Sequence, residues 1–209
     1  MSDAGSGLVV AAFDFDGTLS TRDNVMPFLA RVAGTAGATG AFGAAGLALA
    51  TRGPGAWSRN QLKEEVARRV FAGRRAADVD EVARAFAADV VDRHLRAEAV
   101  DRARWHRRQG HRVVVVSASF GVYLRPVVDQ LGFDAVLATE LATDGDGRLT
   151  GGLAGANVRG AEKARRLDAW LAGEPAHVVA YGDSSGDREL WARADQAVRL
   201  GRRAHRGTG

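Results

Sequence analysis

The chain has 209 residues, of which 46% are hydrophobic and 26% are charged, and its formal net charge is +4. This length suits one core domain with an insert better than two large domains, and the hydrophobic share is ample for a packed core. The chain contains no cysteine, which excludes disulfides and thiolate metal ligands, and residues 1–7 lack the basic and apolar parts of a signal peptide, so we expect a cytoplasmic protein.

The first predicted element is a buried strand, the apolar run of residues 8–12, which leads into the sequence FDFDGT at residues 13–18. A continuous apolar run is typical of a central strand in a parallel sheet, and ligands bind beyond the carboxyl ends of such strands. Asp14 and Asp16 are two residues apart, so an ideal strand would point both carboxylates to one face. Two carboxylates that close together favour a divalent cation, and Mg²⁺ is the oxygen-preferring candidate where phosphate is also present.

The residues that follow the two acids fit the same interpretation. Gly17 would allow a sharp turn without a side chain in the way of a substrate. Thr18 offers a hydroxyl to a phosphate oxygen or to a neighbouring backbone group. The alternative is an ordinary Asp-Gly turn after a strand, because both residue types are common in turns.

The next 76 residues, 21–96, contain helical patterns and no convincing strand. Within them, residues 28–50 carry one charge, Arg31, and have a glycine at every third position from Gly34 to Gly46. The length would suffice to span a bilayer, but five glycines and two threonines make the segment weakly apolar. The pattern favours a small-residue helical hairpin or a mobile cap segment, and leaves open a surface that meets lipid or an apolar substrate.

From residue 97 onward, helical and strand patterns alternate. We predict helices at residues 97–109, 123–131, 160–171 and 186–194, strands at 112–117, 135–138, 177–181 and 197–200, and a hairpin at 139–152. This alternation indicates βαβ units and an α/β fold with a parallel, Rossmann-like sheet flanked by helices. We therefore expect residues 1–20 and 97–209 to form the core, with residues 21–96 as a small all-helical cap inserted after the first strand.

Three further groups of polar residues lie where predicted strands end or the following helices begin. Ser117 ends a strand, and its hydroxyl and the amides of the following Ala118 and Ser119 could hold phosphate oxygens, or a serine could simply cap the next helix. Lys163, on a predicted helix among arginines, would by itself be interpreted as a solvated lysine.

The loop of residues 182–187, GDSSGD, follows another apolar strand. Asp183 could complete an oxygen-ligand set with Asp14, and Asp187 could hold a metal-bound water or orient Lys163. None of the five histidines lies at the spacing of a zinc site. The arginines are interspersed with acidic residues, and no segment interleaves basic and aromatic residues, so we expect no nucleic-acid partner.

The four motifs in this order, DFDGT, Ser117, Lys163 and GDSSGD, resemble those of the haloacid dehalogenase-like superfamily across essentially the whole chain. The long insert after the first motif and the sequence VSASF at residues 116–120 are similar to the subfamily that contains phosphoserine phosphatase. The resemblance implies a phosphohydrolase fold with a helical cap. It also implies Asp14 as the nucleophile that forms an aspartyl-phosphate, and Asp16 as the acid and base.

The same resemblance implies that Ser117 and Lys163 stabilise the phosphoryl oxygens. Asp14, the carbonyl of Asp16 and Asp183 would hold Mg²⁺. Asp16 favours a phosphatase over a dehalogenase or an ion-pumping ATPase, which lack an aspartate at that place. Asp23 stands nine residues after the nucleophile, where phosphoserine phosphatase has a glutamate that binds serine, and Gly186 stands where that enzyme commonly has asparagine.

The sequence looks closer to the related branch of the subfamily that includes phosphatidylglycerophosphate phosphatases. Our first hypothesis is a magnesium-dependent hydrolase of a small phosphorylated metabolite. The alternative within that class is a phospholipid-phosphate substrate, with peripheral lipid contact through the cap. A third hypothesis is a non-catalytic protein that binds a phosphorylated ligand.

Overall fold

A computed structural model describes residues 7–50 and 59–200 of the chain. Its main sheet has five parallel strands in the order β3-β2-β1-β6-β7, which places β1 at the centre. A separate antiparallel hairpin consists of β4 and β5. The strands are β1 (Leu8–Phe13), β2 (Arg112–Phe120), β3 (Ala135–Thr139), β4 (Leu141–Thr143), β5 (Leu149–Leu153), β6 (Ala176–Gly182) and β7 (Gln196–Arg199).

The helices follow the predicted pattern with small shifts at their ends. The helix expected from residue 186 begins instead as a 3₁₀ turn, Ser185–Asp187, before the last helix starts. The helices are α1 (Val25–Ala50), α2 (Arg59–Phe71), α3 (Ala76–Arg93), α4 (Ala97–Arg108), α5 (Gly121–Leu131), α6 (Ala161–Leu171) and α7 (Arg188–Arg193).

The central strand is apolar on both faces because helices cover the sheet on both sides. Val10 and Ala12 point to one face, where they pack in a cluster with Leu167 of α6 and Leu190 of α7. The alternate residues of β1 point to the other face and pack against α4 and α5. Burial on both sides explains the continuous apolar run, and the predicted parallel α/β fold is confirmed.

Three helices, α1 to α3, lie between β1 and α4, and we call them the helical insert. Among its described residues there are isolated β-bridges but no strand, as the sequence predicted. Helix α1 is interrupted at Gly34, whose φ of 72° and ψ of 164° are not helical. Glycine tolerates this conformation without steric cost, so α1 consists of two helical segments that meet at a kink. The exact limits of the predicted cap, residues 21–96, stay a prediction.

Aromatic side chains join the helical insert to the core. The Phe28 ring of α1 lies 4.8 Å from the Tyr123 ring of α5 and 5.3 Å from the Phe86 ring of α3, measured between centroids. A second pair joins Phe71 of α2 to Phe120 at the end of β2, with centroids 5.3 Å apart. These rings are almost fully buried, so the insert is packed onto the strand ends rather than merely tethered to them.

The hairpin also holds the insert, through backbone hydrogen bonds to the turn between α2 and α3. The N–H of Gly73 donates to the carbonyl of Leu149 over 2.8 Å, and the N–H of Leu149 donates to the carbonyl of Arg74 over 2.8 Å.

None of the helices in residues 7–50 and 59–200 combines the length and the apolar character that a membrane span requires.

Candidate active site

Asp14 is the first residue after β1 and is held at the carboxyl edge of the sheet. Its backbone N–H donates to the carbonyl of Tyr181 in β6 over 2.8 Å, which continues the pairing of the two strands by one residue. Its side chain is buried, and Oδ1 lies 2.6 Å from Nζ of Lys163. The nucleophile predicted from the sequence therefore lies in a dry environment beside a cation.

Lys163 is not a solvated lysine, so that interpretation is wrong. It lies on α6 with only 3% of its surface exposed, and Nζ donates to Asp14 Oδ1 and to Asp187 Oδ1, each over 2.6 Å. Burial by itself lowers the pKa of Lys163, but the two carboxylates outweigh burial and raise the pKa above its usual value. Lys163 therefore stays charged and links the first motif to the acidic loop.

The acidic loop at residues 182–187 is built around Asp187, which is completely buried. Asp187 Oδ2 accepts the backbone N–H groups of Asp183 and Ser184 over 3.2 and 3.1 Å, and Oδ1 accepts Lys163. Ser184 and Asp187 form a capping box on the 3₁₀ turn. Asp187 thus holds the ammonium group of Lys163 and at the same time fixes the backbone that carries Asp183.

Three carboxylates form one cluster. Asp14, Asp183 and Asp187 each offer an oxygen within 4.8 Å of the others. Burial raises the pKa of Asp14 to about 6, against the opposing charge of Lys163 and with a further rise from Asp187. Burial and the charge of Asp187 also raise the pKa of Asp183. Clustered carboxylate oxygens with raised pKa values fit a hard divalent cation such as Mg²⁺, which would favour their charged forms.

Gly17 lets the first motif and the acidic loop come this close. Its φ is 82°, a conformation that side chains rarely adopt. A Cβ at this position would lie 2.7 Å from Cγ of Asp183 and closer still to Oδ2. Any side chain at position 17 would therefore force the Asp183 carboxylate to move.

The two acids of the first motif occupy different environments, which corrects the expectation that both point to one face. Strand β1 ends at Phe13, and the following residues turn, so the alternation of a strand no longer applies. The Asp16 carboxylate is not part of the acidic cluster. Oδ2 accepts the Ser119 hydroxyl, and Oδ1 accepts the backbone N–H of Asn24 over 3.0 Å and its Nδ2 over 2.8 Å. Burial raises the pKa of Asp16 to about 7 despite these donors.

The serine motif belongs to β2, which extends to Phe120 and not only to residue 117. Ser117 and Ser119 are buried, and Ser117 Oγ accepts the N–H of Ser119 over 3.2 Å. Neither serine caps α5, because the residue that precedes this helix is Phe120 and no side chain caps it. The alternative of a simple capping serine is therefore wrong. Ala118 lies between the two serines, so its amide is at the same strand end.

Two other predicted residues lie on the same loop. The Thr18 side chain is completely buried, and its hydroxyl has no hydrogen-bond partner within the described part of the chain. Asp23 is exposed just before α1, where Oδ1 accepts the N–H of Val25 over 2.8 Å. The charge of Asp23 contributes to the raised pKa of Asp16, so Asp23 lies near the site.

Sequence reasoning missed Asn24 and Arg96, which lie where the chain enters and leaves the helical insert. The Arg96 guanidinium donates to the carbonyl of Gly17 over 3.0 Å and to that of Thr18 over 3.1 Å. The backbone N–H of Arg96 donates to the carbonyl of Leu19 over 2.8 Å. Arginine and asparagine are common in linkers, so these residue types do not indicate a functional role. The sequence signal nearest to Arg96 is the predicted boundary between cap and core at residue 97.

Comparison with known proteins agrees with this geometry. Residues 11–191 match the family model of haloacid dehalogenase-like hydrolases. The chain is 35% identical over 190 residues to protein CicA of Caulobacter vibrioides, covering 90% of this chain and 84% of CicA. It is 34% identical over 95 residues to phosphoserine phosphatase of Archaeoglobus fulgidus, covering 44% of this chain and 27% of that protein. A crystal structure of a protein of unknown function from Bordetella pertussis Tohama I superposes with a TM-score of 0.77, at 24% identity over 93% of this chain and 90% of that one.

The contact at Gly17 can be tested by substitution. We expect Gly17→Ala to lower kcat/KM on an aryl phosphate at least about 100-fold, because displacing Asp183 disturbs reacting groups that must be placed within about 1 Å. Gly147→Ala is the matched control, since Gly147 also has a positive φ, 73°, but a Cβ there has no atom within 4 Å. The activities of purified variants decide the question, and a Gly17→Ala protein with near wild-type activity would contradict the assigned contact.

The raised pKa values predict how a cation stabilises the protein. Aspartates titrate near pH 4 in an unfolded chain, but Asp14 titrates at about 6 and Asp16 at about 7 in the folded chain without metal. The folded state therefore binds more protons between about pH 4 and pH 7, and its stability falls as pH rises through that window. A bound cation favours the charged carboxylates, so Mg²⁺ should raise the melting temperature more at pH 8 than at pH 5. Equal increases in melting temperature at the two pH values, each measured against a control with EDTA, would contradict this prediction.

Proposed function

Because this chain belongs to the haloacid dehalogenase-like hydrolase family, we propose that it is a magnesium-dependent phosphomonoester hydrolase. Its substrate is a small phosphorylated metabolite, and its reaction passes through an aspartyl-phosphate on Asp14. The observation that carries this proposal is the pairing of Asp14 with the buried cation Lys163, beside a second acid, Asp16, that is kept out of the acidic cluster.

The two acids suit opposite roles. The charged ammonium group of Lys163 beside Asp14 favours its ionised form, whereas Asp16 is held by neutral donors and burial raises its pKa to about 7. Titratable groups whose environments push their pKa values apart mark the assignment of acid and base roles in an active site. Asp14 is then the nucleophile, while Asp16 protonates the leaving oxygen and later takes a proton from the attacking water.

The remaining groups position the phosphoryl group and neutralise its charge, which is most of what this chemistry requires. Lys163 and the Ser117 hydroxyl bind phosphoryl oxygens, and Asp187 keeps Lys163 in place. Asp14, Asp183 and the backbone carbonyl of Asp16 would hold Mg²⁺, which neutralises charge on the phosphoryl oxygens when bound. Attack by Asp14 expels the alcohol, and water then releases inorganic phosphate from the covalent intermediate. The substrate side of the site is formed by Gly17, Thr18, Asp23, Ala118 and Ser119.

The nucleophile is tested by removal of one negative charge. Asp14→Asn should lower kcat at least about 1,000-fold on every phosphate ester that the wild-type protein hydrolyses, because no covalent intermediate can form. Asp92→Asn is the matched control, since that side chain is 75% exposed on α3. A screen of phosphorylated metabolites with Mg²⁺, followed by mass spectrometry of acid-quenched enzyme, should find phosphate on Asp14. Full activity of Asp14→Asn would remove the proposal.

A phospholipid-phosphate substrate is the second candidate, and one feature of α1 favours it. The helix carries a single charged residue, Arg31, in its 26 residues, and beyond the Gly34 kink its Leu47 side chain is 71% exposed. An exposed apolar helix that starts beside the site could rest on a lipid surface.

This second candidate makes its own prediction. The protein should sediment with vesicles that contain anionic lipid and should hydrolyse a lysophospholipid phosphate, and Leu47→Glu should weaken both without changing turnover of a water-soluble aryl phosphate. Absence of vesicle binding, or absence of turnover of any lipid phosphate, would remove the lipid candidate and leave the phosphatase proposal intact.

A further inference from the structure

Asn24 lies directly before α1 and is completely buried. It places two donors on a single oxygen of Asp16, since its backbone N–H and its Nδ2 both reach Oδ1. Nδ2 also lies 2.7 Å from Oγ of Ser20 and 3.1 Å from the carbonyl of Arg22. A buried amide with this many partners has one orientation, so Asp16 is held by a rigid group.

The other oxygen of Asp16 is held from a different element. Ser119 at the end of β2 donates its hydroxyl to Oδ2. One oxygen of the Asp16 carboxyl group is therefore fixed by Ser119 of the core sheet, and the other by Asn24, the residue directly before α1. Rotation of the carboxyl group would break hydrogen bonds at both ends.

The position of Asn24 in the helix supports a role toward Asp16. An asparagine directly before a helix ordinarily caps it, with its side-chain oxygen accepting an N–H of the second or third helical residue. The third residue of α1 is Pro27, which has no N–H to offer, and the side-chain oxygen of Asn24 accepts Nε of Arg22 over 3.5 Å. The Asn24 amide is instead turned to Asp16, and the N–H of Val25 is accepted by Asp23.

We propose that Asn24 is a positioning residue that determines which oxygen of Asp16 carries the proton delivered to the leaving group. The inference rests on the proposed phosphatase function. Both groups of Asn24 that contact Oδ1 are donors and cannot accept a hydrogen bond, so a proton on Oδ1 would meet two N–H groups. The proton is therefore confined to Oδ2, which can still accept the Ser119 hydroxyl through a remaining lone pair, so that the proton is directed to the leaving oxygen. When the ester bond breaks, the proton passes from Oδ2 to the leaving oxygen, and Oδ1 stays bound to Asn24.

The leaving group provides a readout that a merely structural role would not change. Phenol is a poor leaving group and needs the proton, whereas 4-nitrophenol is a good leaving group and needs it little. For Asn24→Ala and Asn24→Ser, we expect kcat/KM to fall at least about 30-fold on phenyl phosphate and less than about 3-fold on 4-nitrophenyl phosphate. Equal losses on the two substrates would overturn the inference.

Two further comparisons sharpen the test. In an Asp16→Asn background, Asn24→Ala should change the residual turnover of 4-nitrophenyl phosphate less than about 2-fold, because Asn24 acts only through Asp16. Thr21→Ala is the control on the same linker, where Thr21 Oγ1 donates to the carbonyl of His94 and not to Asp16. Thr21→Ala should leave the ratio of kcat/KM on phenyl phosphate to kcat/KM on 4-nitrophenyl phosphate unchanged. A change in this ratio as large as that in Asn24→Ala would overturn the inference.

The possible outcomes separate the inference from the proposed function. A wild-type protein that hydrolyses neither aryl phosphate with Mg²⁺ overturns both. A wild-type protein that hydrolyses both, with Asn24 variants that lose activity equally on each, overturns the inference alone. Thermal unfolding of each variant is measured first. Asn24→Ser keeps a residue suited to the start of a helix, and failure of both Asn24 variants to fold would assign the residue to stability instead.

Discussion

Three carboxylates and one ammonium group meet at the carboxyl end of β1, and their charges do not balance. Asp14, Asp183 and Asp187 carry three negative charges when ionised, against one positive charge on Lys163. Burying an unpaired charge costs free energy. The raised pKa values of Asp14 and Asp183 therefore show that Lys163 neutralises the negative charge of the cluster only in part. A divalent cation would bring the formal charge of the group to zero, and the phosphoryl group would then enter a site whose charge is already balanced.

The helical insert shares its anchors with this site. Asn24, where the chain enters the insert, holds the carboxyl group of Asp16, and Arg96, where it returns, holds the carbonyls of Gly17 and Thr18. The two linkers also contact each other, since the N–H of Thr21 donates to the carbonyl of His94 over 2.8 Å. Movement of the insert relative to the core would therefore displace Asp16 and the backbone of Gly17 and Thr18.

Sequence patterns were informative where a residue's role follows from the sheet itself. Continuous apolar runs identified the strands, and polar residues at their carboxyl ends identified Asp14, Ser117 and Asp183, because parallel strands end at a common edge. The sheet confirms the predicted α/β fold, and the family match confirms the predicted membership of the haloacid dehalogenase-like hydrolases. The burial of Lys163 could not be predicted from the local pattern of residues, because it depends on how α6 packs across the sheet.

Other features depend on contacts between distant segments, and a single sequence does not show them. The partnership of Arg96 with Gly17 spans 79 positions, and that of Ser119 with Asp16 spans 103. The expectation that Asp14 and Asp16 share a face failed for a local reason, since β1 ends one residue before Asp14. That early end is what separates the two acids. Asp14 enters the charged cluster with Lys163, and Asp16 is surrounded by neutral donors from Asn24 and Ser119. The tripeptide thus places its two carboxylates in different surroundings, which the proposed roles of nucleophile and proton donor require.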